Sequence, residues 1–183
     1  MQRCKWCNPK NPIYIQYHDT EWGVPNFDER YLFEMLVLES FQAGLSWECV
    51  LNKREAFRLA FDGFDVDRVA QYGEEKLAEL ALDRGIIRNR LKIRTAVQNA
   101  SVFREIQSEF GSFQKYLETF TECRTWVEIG QTTSLLSDRL SADLIRRGMR
   151  FVGSTIIYSY LQAIGVICSH EQGCFLYRMP DMV

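Results

Sequence analysis

Several features are missing from this sequence, and each absence excludes something. No apolar run approaches the roughly 20 residues of a membrane-spanning helix. The opening Met-Gln-Arg-Cys-Lys-Trp has no apolar core of the kind a secretory signal needs, so residence in the cytoplasm is expected. There is no internal repeat and no low-complexity tract, which excludes a solenoid or an array. Positive charge is not in excess: 22 Lys and Arg stand against 24 Asp and Glu, for a net charge of −2. A protein coated in positive charge to hold nucleic acid is thereby excluded, though a local basic face is not. Six cysteines in 183 residues are too few for a disulfide scaffold and fit a reducing compartment with a metal site.

Histidine is scarcest of all, with two in the chain, and each lies near cysteine at an opposite end. His18 follows Cys4, and His170 precedes Cys174 by four residues. Cys4, His18, His170 and Cys174 form a Cys2His2 set, whose thiolates and imidazoles suit one tetrahedral Zn2+. Such a site would join the termini and leave no open coordination position, so the metal would be structural and any chemistry would lie elsewhere. Cys4-Lys-Trp-Cys7 is a competing knuckle, and spacing leaves Cys7 open as an alternative to His18.

The rest reads as an all-α domain spanning residues 1–183, of ordinary globular composition at 46% apolar and 25% charged. Asp28 can cap a helix with an apolar stripe at Tyr31, Leu32, Met35, Leu36 and Leu38, ended by Gly44. Ser46 can cap the next, with Val50, Leu51, Phe57 and Phe61 inward. Short helices follow at 66–72 and 74–84, closed by Gly73 and Gly85. A long helix is expected over 88–110 and a shorter one over 112–120. Residues 121–134 read as a polar surface connection. Ser137 can cap a helix to Arg147, and 154–164 is a strongly apolar segment that length favours as a buried helix over a strand.

Candidate chemistry clusters near the start. Trp6, Tyr14, Tyr17 and Trp22 crowd a short stretch read as loop, and Trp47 follows a Gly-Leu-Ser turn. Such faces hold a flat, electron-poor ring by stacking, above all a cationic one; equally, they can form a small core under the metal. Glu39 lies in an otherwise apolar helical stretch, where a buried carboxylate must find a partner or bind something. Arg84-Gly-Ile-Ile-Arg88 separates two helices, and such a hairpin can offer backbone amides to a phosphate without regard to sequence. Arg84, Arg88, Arg90, Lys92 and Arg94 crowd this region; Arg139, Arg146, Arg147 and Arg150 crowd another.

Three segments carry a resemblance: Tyr17-His-Asp-Thr-Glu-Trp-Gly-Val-Pro25, Leu38-Glu-Ser-Phe-Gln-Ala-Gly-Leu-Ser-Trp47 and Arg150-Phe-Val-Gly-Ser-Thr155. They resemble the DNA-3-methyladenine glycosylase I family of bacterial repair enzymes, over Cys4 to Cys174. The resemblance implies an all-helical fold of the helix–hairpin–helix glycosylase superfamily, with terminal segments (about 1–25 and 165–183) stapled by zinc. It implies the ligands Cys4, His18, His170 and Cys174, without Cys7. It places the base pocket on Glu39, Tyr14, Tyr17 and Trp47, with Trp6 and Trp22 close by, and Glu39 as the catalytic carboxylate. It places DNA contacts at Gln42, Gly44 and Leu45 and at the hairpin residues Gly85 and Ile86. The implied partner is double-stranded DNA bearing methylated bases, met by a monomer. Ser40 and Phe41 depart from the small and polar residues expected beside the glutamate, a change at the pocket rim. No aspartate stands in 91–110, where superfamily relatives often carry a catalytic one.

Overall fold

The computed structural model describes residues 1–179. The aromatic N-terminal stretch, expected as loop, contains a helix: α1 spans Pro12–Thr20. Asn11 caps it by accepting from the Ile13 and Tyr14 amides, and Pro12 starts it where an N–H would have no partner. Tyr14, Tyr17 and His18 stand three and four residues apart, so one helical face presents all three inward.

The central helix is α2 (Glu29–Gln42), capped by Asp28 as expected, with every residue from Leu32 to Phe41 buried. A helix apolar nearly all round belongs in the interior. Ser46 caps α3 (Trp47–Leu51) by accepting from the Cys49 amide. The single helix expected from there breaks at Asn52-Lys53, and α4 (Arg54–Ala60) follows, then a 3₁₀ turn (Asp62–Phe64) and α5 (Val66–Val69). Helix α6 (Glu74–Leu82), a tight hairpin and α7 (Arg90–Phe110) come next. Then α8 (Phe113–Thr121) packs beside α7, with the rings of Phe103 and Phe113 stacked 4.0 Å apart. In α9 (Leu135–Arg146) the cap is Ser134, not Ser137; Ser137 instead closes a capping box by binding the Ser134 amide. The last helix is α10 (Ser154–Ala163), which packs on α2 and α9. No helix among the described residues is long and apolar enough to cross a membrane.

The chain is not wholly helical. Two short strands, β1 (Trp126–Val127) and β2 (Ile167–Cys168), pair in parallel through bonds from Trp126 N to Val166 O (2.8 Å) and Glu128 N to Cys168 O (3.1 Å). The connection at 121–134 is therefore fastened to the C-terminal segment. Gly165 lets that segment pass: its φ is +76°, and a Cβ there would run into the backbone of Val24 and Pro25. The two ends meet again where Phe175 N donates to Gln2 O (3.0 Å). Of the expected terminal lobe, residues 180–183 lie outside the described residues.

A buried ion cluster ties α1, α2 and α4 together. Arg54 binds Glu34 (2.6 Å) and Glu21 (2.7 Å), and Arg58 also reaches Glu34 (2.8 Å). Arg54 and Glu34 are almost wholly withdrawn from water, so each charge depends on its partners in this cluster.

Candidate active site and metal centre

A cavity of about 450 Å³ opens between α1, the C-terminal half of α2, the start of α3 and the C-terminal segment. Trp6, Tyr14, Tyr17, Trp22, Glu39 and Trp47 all line it, so the six residues proposed from sequence converge on one space. Glu39 sits one helical turn before the end of α2 and is 3% exposed. Its Oε2 has no hydrogen-bond partner, and neither has the indole Nε1 of Trp47. Buried polar atoms left this way are rare, since each forfeits its hydration without replacement. Two residues of the cavity lining, Glu39 and Trp47, thus carry an unmet acceptor and an unmet donor.

Desolvation pushes the Glu39 carboxyl well above the ordinary carboxylate range. It is equally the reason why the Tyr14 phenol is pushed up to about 12 and the Tyr17 phenol is raised well above its ordinary value, with Glu48 adding to the first and Glu39 to the second. Both tyrosines are neutral O–H groups at physiological pH. The Tyr17 and Trp47 rings lie 5.5 Å apart, and Trp6 meets Trp22 edge-on at 4.7 Å and Tyr14 at 5.1 Å. Such walls suit a planar ring, and the carboxylate suits one that carries positive charge.

The far wall was not foreseen. Ile129, Gly130 and Gln131 line it, with Ser159, Gln162, Ser169 and Glu171. The first three belong to the stretch read as surface connection, drawn over the cavity by the β1–β2 pairing. Nothing local in the sequence signals a two-residue parallel pair between segments forty residues apart. The departures at Ser40 and Phe41 do not touch the rim. Phe41 points into the core against Phe57 (4.9 Å), and Ser40 Oγ donates to Leu36 O (2.8 Å).

Behind the aromatic wall, Cys4, His18, His170 and Cys174 are all buried, and their donor atoms lie within 4.8 Å of one another. These four could hold a metal ion. Sulfur-to-nitrogen separations are 3.5 Å for Cys4–His170, 3.5 Å for Cys174–His18 and 3.6 Å for Cys174–His170. The histidines aim Nε2 (His18) and Nδ1 (His170) inward. Their other nitrogens donate to Asp19 Oδ1 (2.7 Å) and Trp22 O (3.2 Å), which fixes ring orientation and tautomer. Arg3 holds Asp19 in turn, and this, with His18, lowers the carboxyl to about 2. Main-chain amides of Glu171 and Leu176 point at Cys4 and Cys174 sulfur (3.4 and 3.5 Å), as they do toward thiolates. Burial and the neighbouring His18 lower His170 to about 4, favouring the neutral imidazole a metal needs. Cys7 stands apart and donates to Tyr14 O (3.8 Å).

Gly44 and Leu45 are exposed in the turn after α2, and Gln42 lies at the mouth of the cavity. In the hairpin, the Ile86 side chain is buried and the Gly85 amide is taken by Asp83 Oδ1 (2.7 Å), so only other main-chain groups there are open. Of the basic cluster, Lys92 is buried and Arg94 pairs with Glu74 (2.6 Å); Arg84, Arg88 and Arg90 are exposed and join no ion pair among the described residues. The second basic stretch is partly neutralised, with Arg147 held by Glu109 (2.6 Å) and Asp143 (2.7 Å).

Comparison with known proteins identifies the family. The family model for methyladenine glycosylase matches residues 6–177. The chain belongs to the methyladenine glycosylase family. It is 44% identical to DNA-3-methyladenine glycosylase 1 of Escherichia coli, over 97% of each chain. It is 35% identical to DNA-3-methyladenine glycosylase of Haemophilus influenzae, over 94% of this chain and 96% of that one. A solved structure of a 3-methyladenine DNA glycosylase I tyrosine-to-phenylalanine variant, in complex with 3-methyladenine, superposes with a TM-score of 0.92. It is 31% identical and covers 99% of this chain and 100% of that one.

Proposed function

We propose that this protein is a monofunctional DNA glycosylase that hydrolyses the N-glycosidic bond of 3-methyladenine in double-stranded DNA and leaves an abasic site. The observation that carries the reading is the Glu39 carboxylate, buried and unpartnered beside aromatic walls, in a chain of this family. Methylation at N3 puts positive charge on adenine and weakens its bond to the sugar. The base leaves neutral and needs little help from a general acid. The enzyme's work is to bring the nucleotide out of the stack, hold the base and favour the developing sugar cation while water adds to C1′. Glu39 accepts from the edge of the cationic base, and that positive charge offsets the desolvation which the carboxylate suffers in the empty cavity. Tyr14, Tyr17 and Trp47 sandwich and shape the base, with Trp6 and Trp22 behind them. Neutral adenine brings no compensating charge, so the same carboxylate selects against it.

No lysine lines the cavity among the described residues, which supports hydrolysis over a Schiff-base route. The turn at Gln42, Gly44 and Leu45 enters the duplex beside the extruded nucleotide, and the hairpin at Gly85 and Ile86 approaches the phosphates, with the Gly85 amide already held by Asp83 and Arg84, Arg88 and Arg90 around it.

The metal at Cys4, His18, His170 and Cys174 is one structural Zn2+. A tetrahedron with Zn–S and Zn–N bonds of about 2.3 and 2.05 Å has S···N edges of about 3.6 Å, and the observed edges are 3.5, 3.5 and 3.6 Å. All four positions are filled by protein, so zinc joins the ends of a single domain and takes no part in the reaction. The protein acts as a monomer in the bacterial cytoplasm.

The test is release of bases from methylated duplex DNA, separated by chromatography against a control without enzyme. Selective release of 3-methyladenine over 7-methylguanine supports the reading. No release from folded, zinc-loaded protein refutes it and leaves a lesion-binding module in its place. Trapping of a covalent enzyme–DNA adduct by borohydride would refute the monofunctional part.

A further inference from the structure

Lys92 breaks two local rules at once. It stands in the first turn of α7, where the helix dipole disfavours a cation, and it is buried, where an ammonium loses its hydration. Among the described residues no carboxylate pairs with it. Its Nζ donates instead to two main-chain carbonyls, Phe41 O (2.8 Å) and Ala43 O (2.6 Å), and lies 5.6 Å from the Phe151 ring. Those carbonyls close α2. Immediately beyond them Ala43 turns out of the helix (φ −47°, ψ 112°), Gly44 takes φ +81°, and Leu45 N returns to Gln42 O at 2.6 Å. The positive charge that is misplaced at the start of its own helix is well placed at the end of another, where unpaired carbonyls gather negative charge.

The consequence is mechanical. Lys92 belongs to the second helix of the hairpin, and the turn it grips runs from the buried core to the exposed Gly44 and Leu45. Lys53 repeats the arrangement on the hairpin's other side, donating to Arg84 O (3.3 Å) and Gly85 O (3.0 Å). We infer that Lys92 is a positioning residue that locks the Gln42–Leu45 turn to the hairpin, so that both meet the duplex as one rigid unit. It touches neither base nor phosphate and acts through the carbonyls of Phe41 and Ala43. This rests on the glycosylase reading above. A lysine that only fills the core would act through stability alone, and its loss would leave duplex binding by the folded protein unchanged.

The experiment compares wild type, Lys92→Met and Lys92→Arg in four measurements: thermal stability, binding of free 3-methyladenine by tryptophan fluorescence, binding of abasic duplex, and single-turnover release from methylated duplex. The expected result for Lys92→Met is a free-base Kd within about twofold of wild type, with abasic-duplex Kd and release rate worse by about tenfold or more, a loss of about 1.4 kcal/mol in each. Lys92→Arg recovers part of it. The inference is overturned if a folded Lys92→Met variant binds abasic duplex and releases base within twofold of wild type. It is overturned equally if free-base binding falls in step with the duplex measurements, because the loss is then general. If wild type itself releases no base, the glycosylase reading fails, and amide hydrogen exchange at Leu45 decides this one. Exchange there accelerates at least tenfold in Lys92→Met if Lys92 holds the turn; unchanged exchange overturns the inference.

Discussion

Replacing Glu39 by glutamine keeps the shape of the side chain and removes its charge. Two consequences follow, with opposite signs. In the proposed complex the carboxylate makes a charge-assisted bond to a cationic base, and such bonds contribute about 1.5–3 kcal/mol. Loss of that bond lowers kcat/KM on methylated duplex by about 10- to 150-fold. In the free protein the same carboxylate is a burden. Burial holds the Glu39 pKa well above its unfolded value, so the protonated form is favoured by folding. Its contribution to stability is complete below the ordinary carboxylate range and is lost as pH rises through the folded-state pKa, at about 1.4 kcal/mol for each pH unit inside that window. Glutamine has no such loss. Glu39→Gln therefore matches wild type in acid and becomes progressively more stable toward neutral pH, while being the poorer enzyme wherever Glu39 meets the base as a carboxylate. Thermal melts at several pH values, beside base-release kinetics, read both effects. A stability difference that does not change with pH would refute the desolvation argument, and release within twofold of wild type would remove Glu39 from the site.

Three further outcomes are expected. Metal analysis finds one zinc per chain, which His18→Ala loses; its melting temperature falls by about 10 °C, as for a loss of about 3–5 kcal/mol in a domain of this size, and full retention of zinc would contradict the assignment. Gly165→Ala forces both a positive φ and a clash with the Val24–Pro25 backbone, so it destabilises by about 3 kcal/mol or more in denaturant titration; an unchanged midpoint would show that the crossing of these segments is looser than described. Arg54→Ala leaves the buried Glu34 with only the partly exposed Arg58 and costs about 3 kcal/mol, whereas Arg58→Ala, at a side chain 38% exposed, costs less than about 1 kcal/mol; the reverse order would refute the account of the cluster.

Much of this protein was legible in one dimension because the signals are local. Asp28 and Ser46 announce their helices through a side-chain oxygen and an amide three residues on. The apolar run of α2 and the periodicity of α7 are intrinsic properties of their sequences. The Cys2His2 set stood out because histidine is so rare here, although choosing His18 over Cys7 took the resemblance first and then the geometry. Glu39 was conspicuous as a charge in an apolar helix. Tertiary structure alone decided whether that charge met a partner, because this depends on side chains distant in sequence. It also decided that 121–134 is pinned by β1 and β2 and that Ile129, Gly130 and Gln131 complete the cavity. Strand pairing across forty residues leaves no periodic trace in either segment. The same holds for Lys92: its sequence context is that of a solvated arginine-rich face, and only the packing of α7 against the end of α2 buries its ammonium on two carbonyls. Sequence names the groups capable of chemistry; the distances at which they meet are set by how the helices cross.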